Sequence, residues 1–210
     1  CDSSSTTVFD GPSDAPSIQA MVNWNINIVR VPLNEDCWLG INRYPGGYAS
    51  ATYRQGIIDY VHLLNAYKMA VILDLHWNAP GTQQSNGQQP MPDTDHTQIF
   101  WTSVATTFKS ESAVIFDLYN EPYTQNWKCW LEGSTAAYTR PCEDVDFAVT
   151  GMQTLVNVVR VTGATNVIML GGLAYANDLS QWLQNEPHDS AHNLVASFHA
   201  YNFNHCNTPS

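Results

Sequence analysis

Four short segments place proton-exchanging and hydrogen-bonding side chains directly after, or inside, apolar runs. Tyr119-Asn120-Glu121-Pro122 closes the run that starts at Ala113, and Asp74-Leu75-His76-Trp77 closes the one that starts at Met69. His199 and Tyr201 follow Ser197-Phe198, and Arg30 lies within Ile28-Val29-Arg30-Val31-Pro32. A carboxyl beside an amide, with a guanidinium and imidazoles near it, can give and take a proton while steadying charge that develops on a bound molecule. Glu121 stands out, because a carboxylate that follows an apolar strand has little structural use. The others have plain structural readings as well. Arg30 and Asp74 suit a buried ion pair, and His76 and His199 each suit a satisfied core histidine. Asp117, mid-strand, suits a structural hydrogen bond more than catalysis.

The elements that must position these groups alternate along the chain. Helical patterns at Asp14–Trp24, Ala51–Tyr67, Asp95–Lys109, Val145–Val161 and near Asn177–Gln184 separate predicted strands at Ile26–Leu33, Met69–His76, Ala113–Tyr119, Asn166–Leu170 and Leu194–Phe198. Gly163 supplies a stop signal, and a Gly/Gln/Pro loop runs from Asn78 to Pro92. The strands are near-continuous apolar runs, as strands covered by crossover helices are. Repeated strand–helix units imply parallel strands. An open doubly wound sheet and a closed barrel both satisfy this pattern. No Gly-rich phosphate turn follows any strand, which favours the barrel. Each polar group then falls at the carboxyl end of its strand, where barrel enzymes keep their active sites.

Composition narrows the partners. The chain has 210 residues, 44% hydrophobic and 13% charged, with a formal net charge of −11. That is enough for one domain with a sizeable core and too little for two. The negative field disfavours nucleic acid and anionic lipid and suits a neutral substrate. No apolar run approaches the roughly 18 residues of a bilayer span, so a water-soluble chain with no membrane partner is expected. The chain opens at Cys1 without a Met, as a processed or trimmed polypeptide would. Of the five cysteines, Cys129 and Cys142 bracket a polar excursion and read as a disulfide; Cys1 and Cys37, both in loop-like sequence, are a candidate second pair. Cys206 is left to a partner beyond Ser210. No C-x-x-C pair suggests zinc or redox chemistry, and an oxidising, extracellular compartment follows.

The segments Asn27–Leu33, Val71–Trp77, Val114–Pro122 and Ser197–Tyr201 together resemble glycoside hydrolase family 5, the cellulase family, over nearly the whole chain. Asn120-Glu121-Pro122 is the most specific part. The resemblance implies a (β/α)8 TIM barrel and a secreted enzyme that hydrolyses β-linked polysaccharides or oligosaccharides with retention, without cofactor or metal. It implies Glu121 as general acid/base and Asn120 as a hydrogen-bond partner of the sugar 2-hydroxyl. Arg30 would sit beneath the nucleophile, and His76 would line the sugar subsite with Trp77 beside it. His199 and Tyr201 would orient the carboxylates. A proton donor of this kind needs a raised pKa, to be supplied by a partly apolar site and a second carboxylate. Trp38, Tyr44, Trp127, Trp130 and Trp182 are expected to stack on sugars in an open cleft.

The chain departs from the family pattern in one respect. The family nucleophile is a Glu at the end of the seventh barrel strand, whereas the strand ending at His199 and Tyr201 matches the sixth and the sequence stops at Ser210. Five strands and five helices of the barrel are expected, in a single catalytic domain spanning 1–210 and truncated at both ends. Glu35 and Asp36 are expected as loop or subsite residues. Outer strands left uncovered would favour self-association. Two other readings stand beside the hydrolase: a non-catalytic barrel remnant that binds β-glycan, and a metal-dependent barrel hydrolase using Asp74, His76, His199 and His205.

Overall fold

The apolar runs pair side by side in chain order. The computed structural model describes residues 8–42 and 51–203. Its single sheet has the order β1 (Ile28–Asn34), β2 (Ala70–Trp77), β3 (Val114–Asp117), β4 (Ile168–Gly171) and β5 (Leu194–Ser197), every pairing parallel. Sequential order excludes the doubly wound alternative, whose chain doubles back so that its first strand lies inside the sheet. All five predicted strands form, each within about two residues of its predicted ends.

Alternation assigns the two faces. Val31, Leu73, Phe116, Ile168 and Leu194 lie in one row of the register, the first four buried against the helices. One residue on, Pro32, Asp74, Asp117, Met169 and Val195 form a row on the opposite face. Among the described residues nothing pairs β5 with β1, so the sheet is an arc. Ile28 is 40% exposed and Val195 44%, as expected for outer strands lacking neighbours.

The helices form for ordinary reasons. In α1 (Ala15–Asn23), Asp14 accepts from Ser17 N–H at 3.1 Å, with a proline in the first turn. Two short helices were not predicted: α2 (Glu35–Leu39), capped by Asn34, and α5 (Trp127–Glu132), capped by Asn126. Between them, α3 (Ala51–Ala66) buries Tyr53, Ile57, Val61 and Leu64 as one stripe, and α4 (Thr97–Phe108) buries Phe100, Trp101, Val104 and Phe108. Neither α2 nor α5 completes two turns, so neither shows a period.

Two predicted helices are corrected. The one expected at Val145–Val161 starts only at Met152, as α6 (Met152–Val161). Ahead of it, Val145, Phe147 and Val149 are buried at every second residue, and Val149 bridges Asp93 while Thr150 bridges Gly133. That is an extended segment. No helix occupies Asn177–Gln184; the chain instead makes a tight turn at Leu173–Ala176 and a 3-10 turn at Leu183–Asn185. Glu35 and Asp36 are not loop or subsite residues, because both are fully buried in α2. No described helix is long and apolar enough to cross a membrane.

Candidate active site

The carboxyl ends of β2 and β3 and the segment after β5 carry the polar groups to one rim. Glu121 follows β3 by four residues. Its Oε1 accepts from His199 Nδ1 at 2.8 Å and from the Tyr201 hydroxyl at 3.0 Å, and its Oε2 accepts from Gln88 Nε2 at 3.1 Å. The same Gln88 nitrogen donates to the Glu121 carbonyl at 3.0 Å. The side chains of Glu121 and His199 are mostly covered yet remain 13% and 15% exposed.

Beneath this rim lies a charged floor. Arg30 donates to Asp117 Oδ2 at 3.1 Å and to Asn120 Oδ1 at 2.9 Å, and stands 2.9 Å from Asp74 Oδ1. Asp74 and Asp117 are buried. The ion pair foreseen between Arg30 and Asp74 therefore exists, with Asp117 as its third member. Burial first, and then the charge of Asp74, push the Asp117 carboxyl well above the usual range, against the pull of Arg30. His76 Nδ1 lies 2.7 Å from Asp74 Oδ2. The carboxylate accepts, so Nδ1 carries the hydrogen and Nε2 is the free acceptor of a neutral ring. Arg30 can only donate, which fixes the Asn120 amide with Oδ1 toward it.

The acidity of Glu121 differs from expectation. Burial raises its pKa, but hydrogen bonds from His199, Tyr201 and Gln88 outweigh burial and hold the carboxyl below its ordinary value. A raised value was expected from an apolar setting and a second carboxylate. Instead three donors converge on it, and the neighbouring carboxylates, Asp74 and Asp117, are paired with Arg30.

Most of the predicted residues assemble. Glu121, His199 and Tyr201 form one cluster, and Arg30, Asn120, Asp74 and His76 form the floor. Trp77, 38% exposed, lines a groove with His76, Asn34, Val8 and Phe9. The expected sugar-stacking tryptophans do not assemble there. Trp38, Trp127, Trp130 and Trp182 are buried, and Tyr44 lies outside the described residues. Three of them are held by their indole N–H groups: Trp38 donates to Ser103 Oγ at 3.0 Å, Trp130 to Gly171 O at 2.9 Å and Trp182 to Leu170 O at 3.2 Å. Trp130 and Trp182 thereby brace the end of β4. Asp74, His76 and His199 do not bring three ligand atoms together for a metal, and His205 lies outside the described residues.

Sequence reasoning missed the supports. Gln88 lies in the Asn78–Pro92 loop. The turn after β4 holds Ala174, Tyr175 and Ala176 at φ of 51°, 62° and 58°. From it, Tyr175 N–H donates to Pro122 O at 2.9 Å, and Ala176 O accepts from His199 N–H at 2.9 Å. Asn177 Nδ2 adds a bond to His199 O at 2.8 Å. Tyr175, 51% exposed, stacks on Tyr123 with ring centroids 4.8 Å apart. No local sequence signal marks such a turn, since three successive left-handed non-glycine residues are strained. The Cys129–Cys142 disulfide forms as predicted; Cys1 and Cys206, and with them the expected Cys1–Cys37 pair, lie outside the described residues.

A family model for cellulase, glycosyl hydrolase family 5, matches residues 3–210. A manganese-dependent endoglucanase of Phanerodontia chrysosporium is 24% identical over 178 residues, which are 80% of this chain and 40% of that protein. Among solved structures, an endo-β-1,4-glucanase of Xanthomonas axonopodis pv. citri matches with a TM-score of 0.62 at 24% identity, over 89% of this chain and 55% of that one. A lichenase of Caldicellulosiruptor sp. F32 also gives 0.62 at 24% identity, over 92% of this chain and 52% of its own. These likenesses show a shared fold, an arc of the TIM barrel. The chain spans 40% of the curated relative and about half of each solved chain.

Proposed function

The chain belongs to glycosyl hydrolase family 5, the cellulase family, and from that premise we propose that Glu121 is the general acid/base in the hydrolysis of β-linked glucans by an enzyme built on this arc. The observation that carries the reading is the convergence of His199, Tyr201 and Gln88 on the Glu121 carboxyl at the strand ends. Glycoside cleavage passes through an oxocarbenium-like state. The leaving oxygen must be protonated as positive charge builds on the anomeric carbon, and a retaining reaction needs a second carboxylate about 5–5.5 Å from the first. Asp74 and Asp117 are buried against Arg30. The nucleophile in this proposal therefore comes from outside the described residues. Its charge would raise the Glu121 pKa from the depressed value of the arc toward that of a working acid.

The other side chains take roles that fit their bonds. Asn120, with Oδ1 bound to Arg30, keeps its Nδ2 to donate to a sugar hydroxyl. His76 offers Nε2 to the same sugar, and Trp77 supplies an apolar wall beside it. Arg30 lends positive charge under the nucleophile. A β-1,4-glucan is the substrate we favour, and an extracellular location agrees with the disulfide.

The test uses the full-length enzyme with Glu121→Gln, assayed on aryl β-cellobiosides of graded leaving group. A loss of roughly 10²–10⁴-fold with poor leaving groups and little loss with good ones is expected. Rates unchanged across the series would refute the assignment. Glycan binding without released sugar in the wild-type enzyme would favour a binding module instead.

A further inference from the structure

A second polar cluster plays no part in that mechanism. The end of β1, the start of α2 and the residues ahead of α4 bring together Glu35, Asp36, Asp93 and His96, and all three carboxylates are fully buried. Two of the three are well supplied with donors. Asp36 accepts from Asn42 Nδ2 at 2.9 Å and from Ser85 N–H at 2.8 Å. Asp93 accepts from Asn78 Nδ2 at 2.7 Å and from His96 N–H at 2.8 Å.

Glu35 is different. Its Oε2 accepts from the Thr97 hydroxyl at 2.7 Å, and that hydroxyl also lies 3.2 Å from Asp93 Oδ2, although it has one hydrogen to give. Glu35 Oε1 and His96 Nδ1 are buried with no hydrogen-bond partner. Among the described residues no lysine or arginine pairs with Glu35, Asp36 or Asp93. A buried carboxylate left this way is costly, so it must take up either a proton or a cation. One ligand atom from each of Glu35, Asp93 and His96 lies within 4.8 Å of the others. Bonds of about 2.0–2.2 Å to one ion place its ligand atoms about 3.0–3.4 Å apart, so ion binding would draw the most widely spaced of these atoms together by about 1 Å or more through side-chain rotation.

We propose that Glu35, Asp93 and His96 bind a divalent metal ion, distinct from the catalytic rim. Two carboxylate oxygens and one imidazole nitrogen suit an ion that accepts both donor types, such as Mn²⁺ or Zn²⁺, better than Mg²⁺, which keeps to oxygen and water. His96, 20% exposed, marks the way in from solvent. Burial, and then the charge of Asp93, push the Glu35 carboxyl well above its ordinary range; the same unmet charge draws a cation. The bound ion would pin the base of the loop that serves Glu121. Asn78 donates to Asp93 through Nδ2 and presents Oδ1 2.9 Å from the Tyr119 hydroxyl, whose one hydrogen is shared between that oxygen and Gln89 O at 2.7 Å, next to Gln88.

The experiment takes the full-length protein, stripped with chelator and dialysed, and adds Mn²⁺, Zn²⁺ or Ca²⁺ alone. Calorimetry, the electron paramagnetic resonance of Mn²⁺ and thermal unfolding are read, none of which depends on turnover. One ion per chain is expected, with a rise in Tm of roughly 5–10 °C at a hundredfold excess over Kd. Glu35→Gln, which still accepts from Thr97, should abolish both. Should that variant fail to fold, His96→Gln at the rim of the cluster gives the same reading. No ion bound by the stripped wild type, or binding unaltered in His96→Gln, overturns the proposal. So does an infrared band of a neutral buried carboxyl that persists with metal present and vanishes in Glu35→Gln, since a proton would then fill the place given to the ion.

Discussion

At the scale of single residues, the site is a contest between burial and donated hydrogen bonds, and at Glu121 the donors win. Its folded pKa lies below the ordinary value. The charged form therefore adds stability above the unfolded pKa of about 4.3, and this contribution is lost as pH falls through the lower folded value. Carboxyl-resolved NMR on the chain should find Glu121 ionised below the usual glutamate range. In Tyr201→Phe its midpoint should move up; an unmoved midpoint would show that the hydroxyl bond is not formed in solution. The principal groups were legible in the sequence because each sits within a few residues of an apolar strand, so strand direction alone assigns it to one rim. Gln88 and Asn177 were not legible. They reach the site from loops whose path depends on contacts far away in the chain. The tryptophans were misread for a related reason, since loop-like flanks do not reveal that an indole N–H has a carbonyl waiting inside the core.

At the scale of elements, strand positions and helix stripes followed from periodicity, while strand order, short helices and turns did not. Five-residue α2 and six-residue α5 depend on Asn caps and on packing. The 145–150 segment differs from expectation because Val and Phe at every second position there face the core from an extended chain that runs directly into the apolar stripe of α6. Two elements can be tested separately. Arg160 on α6 grips Asp189 ahead of β5 through Nε at 2.7 Å and a second nitrogen at 2.9 Å, with both side chains nearly buried. Those bonds hold the Asp189 carboxyl far below the usual range. Its stabilisation is thus complete above the unfolded pKa and fades only in strong acid. Asp189→Ala leaves a buried guanidinium unpaired and should cost about 3 kcal/mol at neutral pH, measured by urea unfolding. A cost near zero would mean that Arg160 is satisfied by Ala164 O and Asn166 O alone. Reducing the Cys129–Cys142 bond, which closes a short loop across a separation of 13 residues, should cost about 3 kcal/mol by chain entropy. Hydrogen exchange should rise first between positions 127 and 150.

At the scale of the whole molecule, the described residues form a five-stranded arc whose outer strands pair on one side only. The 210-residue chain by itself is predicted to release little or no sugar from soluble β-glucan, because among the described residues the carboxylates nearest the floor, Asp74 and Asp117, are buried against Arg30; ready turnover by the purified chain would overturn this. The uncovered rows at Ile28 and Val195 should also make the isolated chain associate as its concentration rises, which light scattering would detect, and a monomer at every concentration would refute that reading. A quieter consequence comes from the corner at 173–177. The backbone N–H of Tyr175 and the carbonyl of Ala176 grasp Pro122 and His199, so the Glu121 carboxyl and its imidazole neighbour are moored to a single bend of backbone rather than only to each other. Changing that bend, by a β-branched replacement at Ala176 or a graft between β4 and β5, would displace both moorings together. It would act as a tuning screw for the acidity of Glu121, turned from the backbone rather than from the carboxyl's own hydrogen-bond donors.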